Sequence, residues 1–446
     1  MNSILIINGT VISGNQKQKA DIAIRDGKIV SCGNLDLASY SGYQILDASG
    51  KYIIPGGFDP HVHLALPTPA GNSCDDFLSG SQAALSGGTT SIMDFVTPIR
   101  GQSLSDALIK RKIEAKSSLA CWDLHLGISE WNPAIAAEIL PCMEKFGVTS
   151  FKAYLAYRET IGIGYHELKE LMYIVKPANG MVMVHCEDGE MVSRMQKNLL
   201  NEGKVRPAYH ARSRPPETEI RAIEKVIELS DQTGCPAYIV HISTRRGAEM
   251  VAAAKKSGIP VYGETCPHYL LLDDSVYDLK QSDRDVLPFV FSPPVRKKND
   301  QQGLWEAVAN GSIDVVSTDH CPFNLHGQKD KGISDFTKIP NGTGGIEHRL
   351  TLLYTYGVLT HQISLNQFVA LVSANPARIF GFGNHKGKLE PGYDADIVVW
   401  DPVCETTISV QTHRSNCDSE IYEGFHTQGR AEKVLIGGEI KFQQND

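Results

Sequence analysis

The sequence predicts an α/β fold, a (β/α)₈ TIM barrel with a small β-sandwich domain formed from both chain termini. Two observations carry this prediction. Eight short apolar runs alternate with helical patterns through the middle of the 446-residue chain, and both ends read as short strands separated by turns. Near-continuous apolar strands are typical of a parallel sheet covered on both faces. A doubly wound open sheet is the rival fold, but no G-x-G-x-x-G motif follows the first strand.

The two ends of the chain are predicted to share one domain, residues 1–52 plus 388–446. Strand candidates appear in "SILIING", "TVISG", "DIAIRDGKIVSCG" and "QILDASGKYIIPGG", and again in "DADIVVWDP", "TTISV" and "AEKVLIGGEIKF". Asn8-Gly9 and Asp26-Gly27 are expected to form hairpin turns, since these dipeptides favour the positive φ angles that such turns need. Neither end has enough strands for a stable sheet of its own, so we expect the ends to pair.

Residues 53–387 are predicted to form the barrel. Its strand candidates are "GGFDPHVH", "TTSIMDF", "LACWDLHLGI", "VTSFKAYL", "GMVMVHCE", "PAYIVHIS", "IPVYGETC" and "SIDVVSTDH". Helix candidates between them include "SLSDALIKRKIEAK", "AIAAEILPCMEKFG", "PETEIRAIEKVIELSDQTG" and "RRGAEMVAAAKKSG". Strands that alternate with helices of this length favour βαβ units and a parallel sheet.

Composition excludes several classes of protein. A net charge of -8 without acidic or basic blocks gives no footprint for nucleic acid or for an anionic membrane. The apolar run at the N-terminus is too short for a signal peptide, and no later segment is long and apolar enough to span a membrane. The ten cysteines contain no C-x-x-C pair. We therefore expect reduced thiols and a cytoplasmic protein.

A pair of histidines closes the first barrel strand, in "GGFDPHVHLALP". Residues two apart on a strand point to the same side, so the two imidazoles project together at the end where barrel enzymes keep their chemistry. A lone histidine there is more often a hydrogen-bonded structural residue, a strand lysine usually reaches solvent, and an aspartate often caps a turn. Together, however, the groups predicted at this rim are of metal-binding type: His61, His63, Lys152, His185, His241 and Asp319.

The lysine in this set needs its own account. A free ammonium beside divalent cations would be repelled, whereas a carbamylated lysine ends in a carboxylate that can bridge two metals. Two Zn²⁺ ions, the carbamate of Lys152, Asp319 and one hydroxide sum to a tolerable charge of about +1, and such metals lower the pKa of water from 15.7 to about 7.

Long motifs throughout the chain carry a resemblance to a known family. These are "DPHVHL", "SFKAYLAY", "VHCEDGE", "VHISTRRGAE", "FSPPVR", "STDHCPFN", "IPNGTGGIEHRL", "SANPARIFG" and, near the end, "KGKLEPGYDADIVVWD". They occur in the order seen in the cyclic amidohydrolases, and the sequence most resembles dihydropyrimidinases and D-hydantoinases.

The resemblance implies roles for particular residues. His61, His63 and Asp319 would hold one Zn²⁺, His185 and His241 the other, with N6-carboxylated Lys152 between them. Asp319 and Tyr157 would be catalytic. Tyr157, whose hydroxyl would stabilise the oxyanion, would also bind the substrate, and Ser292 and Asn341 would bind its ring amide through their main-chain groups. Each residue also has an ordinary structural explanation. Tyr157 could be an aromatic ring packed under a loop, and Ser292 and Asn341 could be turn residues next to a proline.

The resemblance also implies an activity. The chain is expected to open the amide bond of cyclic ureides, such as dihydropyrimidines and 5-substituted hydantoins, to N-carbamoyl amino acids. Its partners would be that small-molecule substrate and copies of itself in a homotetramer or homodimer, with no nucleic acid and no membrane.

Three alternatives remain open. Dihydroorotases carry an arginine after H-x-H-L that pairs with the substrate carboxylate, whereas this chain has Ala65, and apolar Leu64 and Phe95 are expected at the same rim. Allantoinases usually lack the tyrosine found here at Tyr157. Dihydropyrimidinase-related scaffold proteins lack the metal ligands. The segment "LALPTPAGNSCDDF" departs from the "LDMP" usual in the family, and this loop is expected to lie near the substituent of the substrate.

Overall fold

The structure is a computed structural model that describes residues 3–444. Its strands in chain order are β1 (Ser3–Ile7), β2 (Thr10–Ser13), β3 (Gln16–Lys19), β4 (Asp21–Arg25), β5 (Lys28–Gly33), β6 (Gln44–Asp47), β7 (Tyr52–Pro55), β8 (Gly57–Val62), β9 (Pro67–Thr68), β10 (Gly71–Asn72), β11 (Thr89–Val96), β12 (Cys121–Gly127), β13 (Ser150–Tyr154), β14 (Met181–His185), β15 (Ala237–Ile239), β16 (Val261–Thr265), β17 (Val315–Val316), β18 (Ile397–Thr407), β19 (His426–Ile436) and β20 (Glu439–Gln443).

The α-helices lie mostly between the central strands. They are α1 (Phe77–Ser86), α2 (Leu104–Ala115), α3 (Pro133–Phe146), α4 (Tyr165–Val175), α5 (Gly189–Asn201), α6 (Tyr209–Ser213), α7 (Pro216–Thr233), α8 (Arg245–Lys256), α9 (Pro267–Leu271), α10 (Asp283–Val286), α11 (Lys298–Ala309), α12 (Arg349–Leu353), α13 (Leu365–Val369) and α14 (Asn375–Ile379). Within residues 3–444, none of the helices has the length and apolarity needed to cross a membrane.

Eight parallel strands form the predicted barrel, in the spatial order β17-β16-β15-β14-β13-β12-β11-β8. All eight predicted barrel strands and the four predicted helices are present, with boundaries shifted by a few residues. The first and last strands meet only at one bridge, between Val62 and His320, where the His63 backbone N–H donates to the His320 oxygen at 2.8 Å. The barrel therefore closes directly beneath the predicted metal ligands.

The two chain termini form the predicted sandwich. One sheet has the order β5-β4-β1-β6 and the other β20-β19-β18-β7-β2-β3, so the second sheet joins three strands from each end of the chain through the antiparallel pair β18–β7. Apolar side chains of both sheets, such as Ile22, Ile53 and Leu435, share one buried core. The fold class is confirmed. The boundary at residues 52–53 and 387–388 between the two domains stays a prediction.

The two predicted hairpin turns have different outcomes. Asp26-Gly27 joins the antiparallel strands β4 and β5 with positive φ at both residues, as predicted. Asn8-Gly9 does not form a hairpin, because β1 and β2 lie in different sheets. Asn8 still has a positive φ of 63°, and a Cβ at Gly9 would overlap Ile53, so this pair turns the chain from one sheet to the other.

The glycine pair before the first barrel strand allows close packing of the barrel. A Cβ atom at Gly56 would overlap the Thr90 side chain at the start of β11. The Gly57 backbone N–H donates to the Gly88 oxygen at 2.9 Å, which starts the β8–β11 pairing. The next residues of β8 are fully buried, and they bring His61 and His63 to its carboxyl end.

Candidate active site

A cavity of about 680 Å³ opens at the carboxyl ends of the barrel strands. This volume lies within the range typical of small-molecule sites. The structure brings every residue of the predicted site to the wall of this one cavity: His61, His63, Lys152, Tyr157, His185, His241, Ser292, Asp319 and Asn341.

His61, His63 and Asp319 form a compact group that could hold a metal ion. The Nε2 atoms of both histidines lie 3.1 Å from Oδ1 of Asp319. Burial raises the pKa of Asp319, but the two imidazoles outweigh burial and hold it well below its usual range. Burial lowers the pKa of His61, yet Glu264 and Asp319 together raise it to about 9. The carboxylates of Glu264 and Asp319 thus both favour a positive charge at the His61 imidazole.

His185 and His241 form the second half of the site. Nδ1 of His185 lies 2.9 Å from Nε2 of His241, so the two rings present nitrogens to the same point. Nε2 of His185 contacts Oε2 of Glu187 at 2.9 Å, and Arg214 donates to the same oxygen. Burial lowers the pKa of both imidazoles, which keeps them neutral. Neutral imidazole is the form that binds metals.

Lys152 lines the same cavity as the two histidine pairs, and its side chain is fully buried. Its Nζ has no hydrogen-bond partner among residues 3–444 and lies 4.8 Å from the centre of the Phe95 ring. Burial lowers the pKa of this amine to about 8, an effect that Asp319 and Glu264 only partly offset. A buried, unpaired ammonium is costly, so the amine is poised to react or to lose its charge.

Backbone strain is concentrated at this site. Positive φ angles occur at Ala65 (45°), Tyr157 (58°), His241 (42°) and Asp319 (50°), and all four residues belong to the cavity or to the loop beside it. This conformation is uncommon for residues other than glycine, and it is least favourable for Ala and Tyr, which lack the polar groups that let Asn or Asp adopt it. Strain of this kind persists where the surrounding structure requires a particular side-chain direction.

The predicted substrate-binding residues line the same cavity. The Asn341 side-chain amide donates to the Tyr157 hydroxyl at 3.4 Å, and the Arg214 guanidinium stacks 5.0 Å from the centre of the Tyr157 ring. Oγ of Ser292 and Oδ1 of Asn341 are buried without partners in the described part of the chain. The Ser292 hydroxyl, the Asn341 amide and the Tyr157 phenol therefore lie at one cavity, and the first two have oxygens free to bind a ligand.

Sequence reasoning missed the groups that orient the ligands. Glu264 closes β16 and accepts from Nδ1 of His61 at 2.6 Å, the Tyr238 hydroxyl at 2.8 Å and the His241 backbone N–H at 3.1 Å. His320, to which the sequence assigned no role, contacts Asp75 at 3.0 Å. The available signal was an acidic residue at the end of an apolar strand, in "VYGET" and "VHCE". Carboxylates behind ligating histidines are a common feature of metal sites.

The loop after β8 borders the cavity, as expected for the segment that departs from the family pattern. Its residues 66–70 line the cavity, and the Ser73 hydroxyl donates to the His63 oxygen at 2.9 Å. Leu64 and Phe95 do not lie at the rim as predicted, because both are buried and Phe95 stacks beneath His63 at 4.7 Å between ring centres.

Two cationic side chains lie at the cavity wall. Arg100 does not belong to the cavity lining and donates to the Thr160 and Arg158 backbone oxygens. Lys331 and Lys338 instead line the cavity, and Lys338 is paired with Asp335 at 3.2 Å.

The residues present fit metal ions. A zinc ion with ligands at about 2.0–2.2 Å in a tetrahedral arrangement separates its ligand atoms by about 3.4 Å. The distances between Nε2 of His61 or His63 and Oδ1 of Asp319 are 3.1 Å, and the Lys152 amine, unpaired within residues 3–444, lines the same cavity as this group and the His185–His241 pair. The donor set of imidazole and carboxylate suits zinc and similar divalent ions.

Comparisons with known proteins agree with this geometry. The model described as "Amidohydrolase family" matches residues 52–441. A D-hydantoinase of Geobacillus stearothermophilus is 39% identical over 438 residues, covering 98% of this chain and 92% of the relative. A dihydropyrimidinase of Dictyostelium discoideum is 36% identical over 445 residues, covering 99% and 88%. The crystal structure of dihydropyrimidinase from Brevibacillus agri NCHU1002 has a TM-score of 0.96 at 39% identity, covering 99% of this chain and 95% of that chain.

Proposed function

The chain belongs to the amidohydrolase family, and we propose that it hydrolyses the amide bond of cyclic ureides, dihydropyrimidines and 5-substituted hydantoins, to N-carbamoyl amino acids. The observation that carries this proposal is the meeting of four histidines, a buried lysine and an aspartate at one cavity that is large enough for such a ring. Similarity over nearly the whole chain to a D-hydantoinase and to a dihydropyrimidinase supports it.

Two divalent metal ions, Zn²⁺ by the chemistry of the donor set, are proposed as cofactors. His61, His63 and Asp319 would hold one ion, and His185 and His241 the other. N6-carboxylated Lys152 would bridge them, and its buried, unpaired amine is the support for that role. Such ions polarise a carbonyl oxygen and lower the pKa of water so that it attacks near neutral pH.

The protein's own groups would handle the proton and the developing charge. Asp319, with its lowered pKa, is ionised and can accept a proton from the attacking water. It would return that proton to the ring nitrogen as the carbon–nitrogen bond breaks. The Tyr157 hydroxyl would donate to the carbonyl oxygen as that oxygen becomes negative. Ser292 and Asn341, which line the cavity, would hold the ring amide in place through their main-chain groups.

Dihydroorotase activity is the second candidate, and one observation favours it. Lys331 and Lys338 line the cavity and could meet a carboxylate on the substrate ring. Against it, Ala65 occupies the position where dihydroorotases carry an arginine, and Lys338 already has Asp335 as a partner. Allantoinase activity and a non-catalytic scaffold role find no comparable support.

Assembly and location belong to the same proposal. We expect a homotetramer or homodimer in the cytoplasm, acting on small molecules alone. All ten cysteines, which lie within the described residues, are unpaired, which agrees with a reducing compartment.

The test is an assay of purified enzyme on dihydrouracil, 5-substituted hydantoins, allantoin and dihydroorotate, side by side, with the N-carbamoyl product identified. Asp319→Asn is the matched variant, because it keeps a ligand oxygen but removes the charge that accepts the proton. We expect turnover to fall far more than metal content. Asp319→Asn activity within tenfold of wild type, which is less than about 1.4 kcal/mol in the barrier, would exclude the proton-transfer role.

A further inference from the structure

A second group of metal-binding side chains lies outside the active-site cavity. His348 directly precedes α12, whereas His413 and Glu420 lie in the connection between β18 and β19. One ligand atom from each of the three residues lies within 4.8 Å of the others. The ligand atoms of His61, His63 and Asp319 are equally close together. The resemblance to hydantoinases assigned no role to these three residues.

One oxygen atom, Oε2 of Glu420, faces both imidazoles. It lies 3.2 Å from Nε2 of His348 and 3.4 Å from Nδ1 of His413. A tetrahedral zinc site separates neighbouring ligand atoms by about 3.4 Å. Nε2 of His348 is buried and has no hydrogen bond of good geometry within residues 3–444, although Oε2 of Glu420 lies 3.2 Å away.

The tautomer of His413 places a lone pair toward Glu420. Its Nε2 lies 2.9 Å from the backbone oxygen of Cys417. A carbonyl oxygen can only accept, so Nε2 carries the proton and Nδ1 of the neutral ring presents a lone pair to the Glu420 carboxylate. Two facing lone pairs repel each other unless a proton or a metal ion lies between them.

The surroundings favour a cation. Two carboxylates lie at this group, because Oε2 of Glu420 contacts both imidazoles and Glu347 borders the same small cavity. A small cavity of about 10 Å³ adjoins the three side chains, which is room for about one water-sized sphere. The group thus offers three ligands, a negative field and space for one more ligand.

We propose that His348, His413 and Glu420 bind a third divalent ion of the zinc type, with water as a further ligand and separate from the two ions of the active site. This ion would fasten the β18–β19 connection to the barrel. The same connection reaches the active site, since Asp75 accepts from the Ser415 hydroxyl at 2.5 Å and from the Asn416 N–H at 2.9 Å while contacting His320. The site would therefore stabilise the connection that supports the residue next to Asp319.

The test is metal uptake by chelator-stripped full-length protein, titrated with Zn²⁺ and with Co²⁺ and measured as bound ions per chain after gel filtration. We expect Glu420→Gln to bind one ion fewer than wild type and to lose the metal-induced rise in Tm that this ion provides. Glu405→Gln is the control, because it removes an exposed carboxylate of β18 and should bind as many ions as wild type.

His413→Gln is a second variant in case Glu420→Gln does not fold, since glutamine can still donate to the Cys417 oxygen, and it too should bind one ion fewer. Equal uptake by wild type and by either folded variant would overturn the proposal and assign the cluster to a protonated imidazole pair. Failure of the proposed active site would lower uptake in wild type and variants alike, whereas the difference of one ion would remain.

Discussion

At the residue scale, the environment of Lys152 is the least compatible with an ordinary structural role. The Lys152 amine is buried near four imidazoles and has no hydrogen-bond partner among the described residues. A charged ammonium in this position would destabilise the fold. Carboxylation of the amine between two proposed cations would reverse the sign of this interaction, because the added negative charge would be attracted to both metals. The cost of burying this side chain would then be offset only in the metal-bound enzyme.

Lys152→Ala should therefore lose most of the bound active-site metal and most activity. Short carboxylic acids added in solution should restore part of the activity, because they can supply the missing bridging carboxylate. Metal analysis before and after such addition checks both expectations. Two tightly held ions in the active site of Lys152→Ala would show that the lysine does not bridge them.

Tyr157 is the second residue whose role can be separated from packing. Its ring is held by Arg214 and its backbone is strained at a φ of 58°, while its hydroxyl reaches the cavity near Asn341. Tyr157→Phe keeps the ring and removes only the donor. We expect kcat to fall by about 10²–10³, as for other single oxyanion donors, with Tm nearly unchanged. An unchanged kcat would return Tyr157 to a packing role.

At the element scale, closure of the barrel depends on polar groups rather than on a continuous strand ladder. Asp59 of β8 accepts from the Thr318 hydroxyl at 2.7 Å, across the gap to the last strand. Arg349, fully buried at the start of α12, donates to the Phe58 oxygen at 3.0 Å, the Val316 oxygen at 3.3 Å and the Thr89 hydroxyl at 3.1 Å. One guanidinium thus joins the first, second and eighth barrel strands.

Arg349→Met should destabilise the fold by about 3–5 kcal/mol, because Asp59 and two backbone oxygens would lose their buried cationic partner. Thermal or urea unfolding measures this loss. Arg246→Met is the control, since Arg246 lies on the exposed face of α8 and its pairing with Glu249 is solvent-exposed, so its effect should stay within about 0.5 kcal/mol. Similar stability of the two variants would contradict the closing role of Arg349.

At the scale of the whole molecule, the distribution of charge around the cavity decides the substrate class. The net charge of -8 and the absence of an arginine at position 65 disfavour an anionic ring. A ring carboxylate desolvated near Ala65 would lack a strong partner, which costs several kcal/mol. Lys331 and Lys338 reach the cavity from the segment that follows the last barrel strand and could offset part of this cost.

We expect kcat/KM for dihydroorotate to lie orders of magnitude below that for dihydrouracil or a neutral hydantoin. Kinetics on all three substrates at one pH and ionic strength measure this preference. If the two lysines account for residual dihydroorotate activity, Lys331→Met combined with Lys338→Met should remove it and leave the neutral substrates unaffected. Equal rates on dihydroorotate and dihydrouracil would support the dihydroorotase alternative.

The sequence by itself determined the architecture and the members of the predicted site. Apolar periodicity distinguished the eight barrel strands from the helices between them. The polar residue at the end of each strand could also be read from the sequence, because the alternation of side-chain direction along a strand is a local property. For this reason the six residues predicted to bind metal could be assigned to one rim before any contact was known: His61, His63, Lys152, His185, His241 and Asp319. The family motifs added Tyr157, Ser292 and Asn341, which no periodicity would have selected.

Only the tertiary structure decided which groups stand behind that rim. Glu264, Glu187 and Asp75 meet their histidines across separations of 203, 2 and 245 residues, and two of these three pairs depend on strand order and register rather than on local sequence. The same holds for Asn8-Gly9, whose turn propensity was local but whose neighbouring strands entered different sheets. The approach of His348, His413 and Glu420 likewise arises from packing of the β18–β19 connection on the barrel, because long-range packing, unlike strand periodicity, leaves no repeating pattern in the sequence.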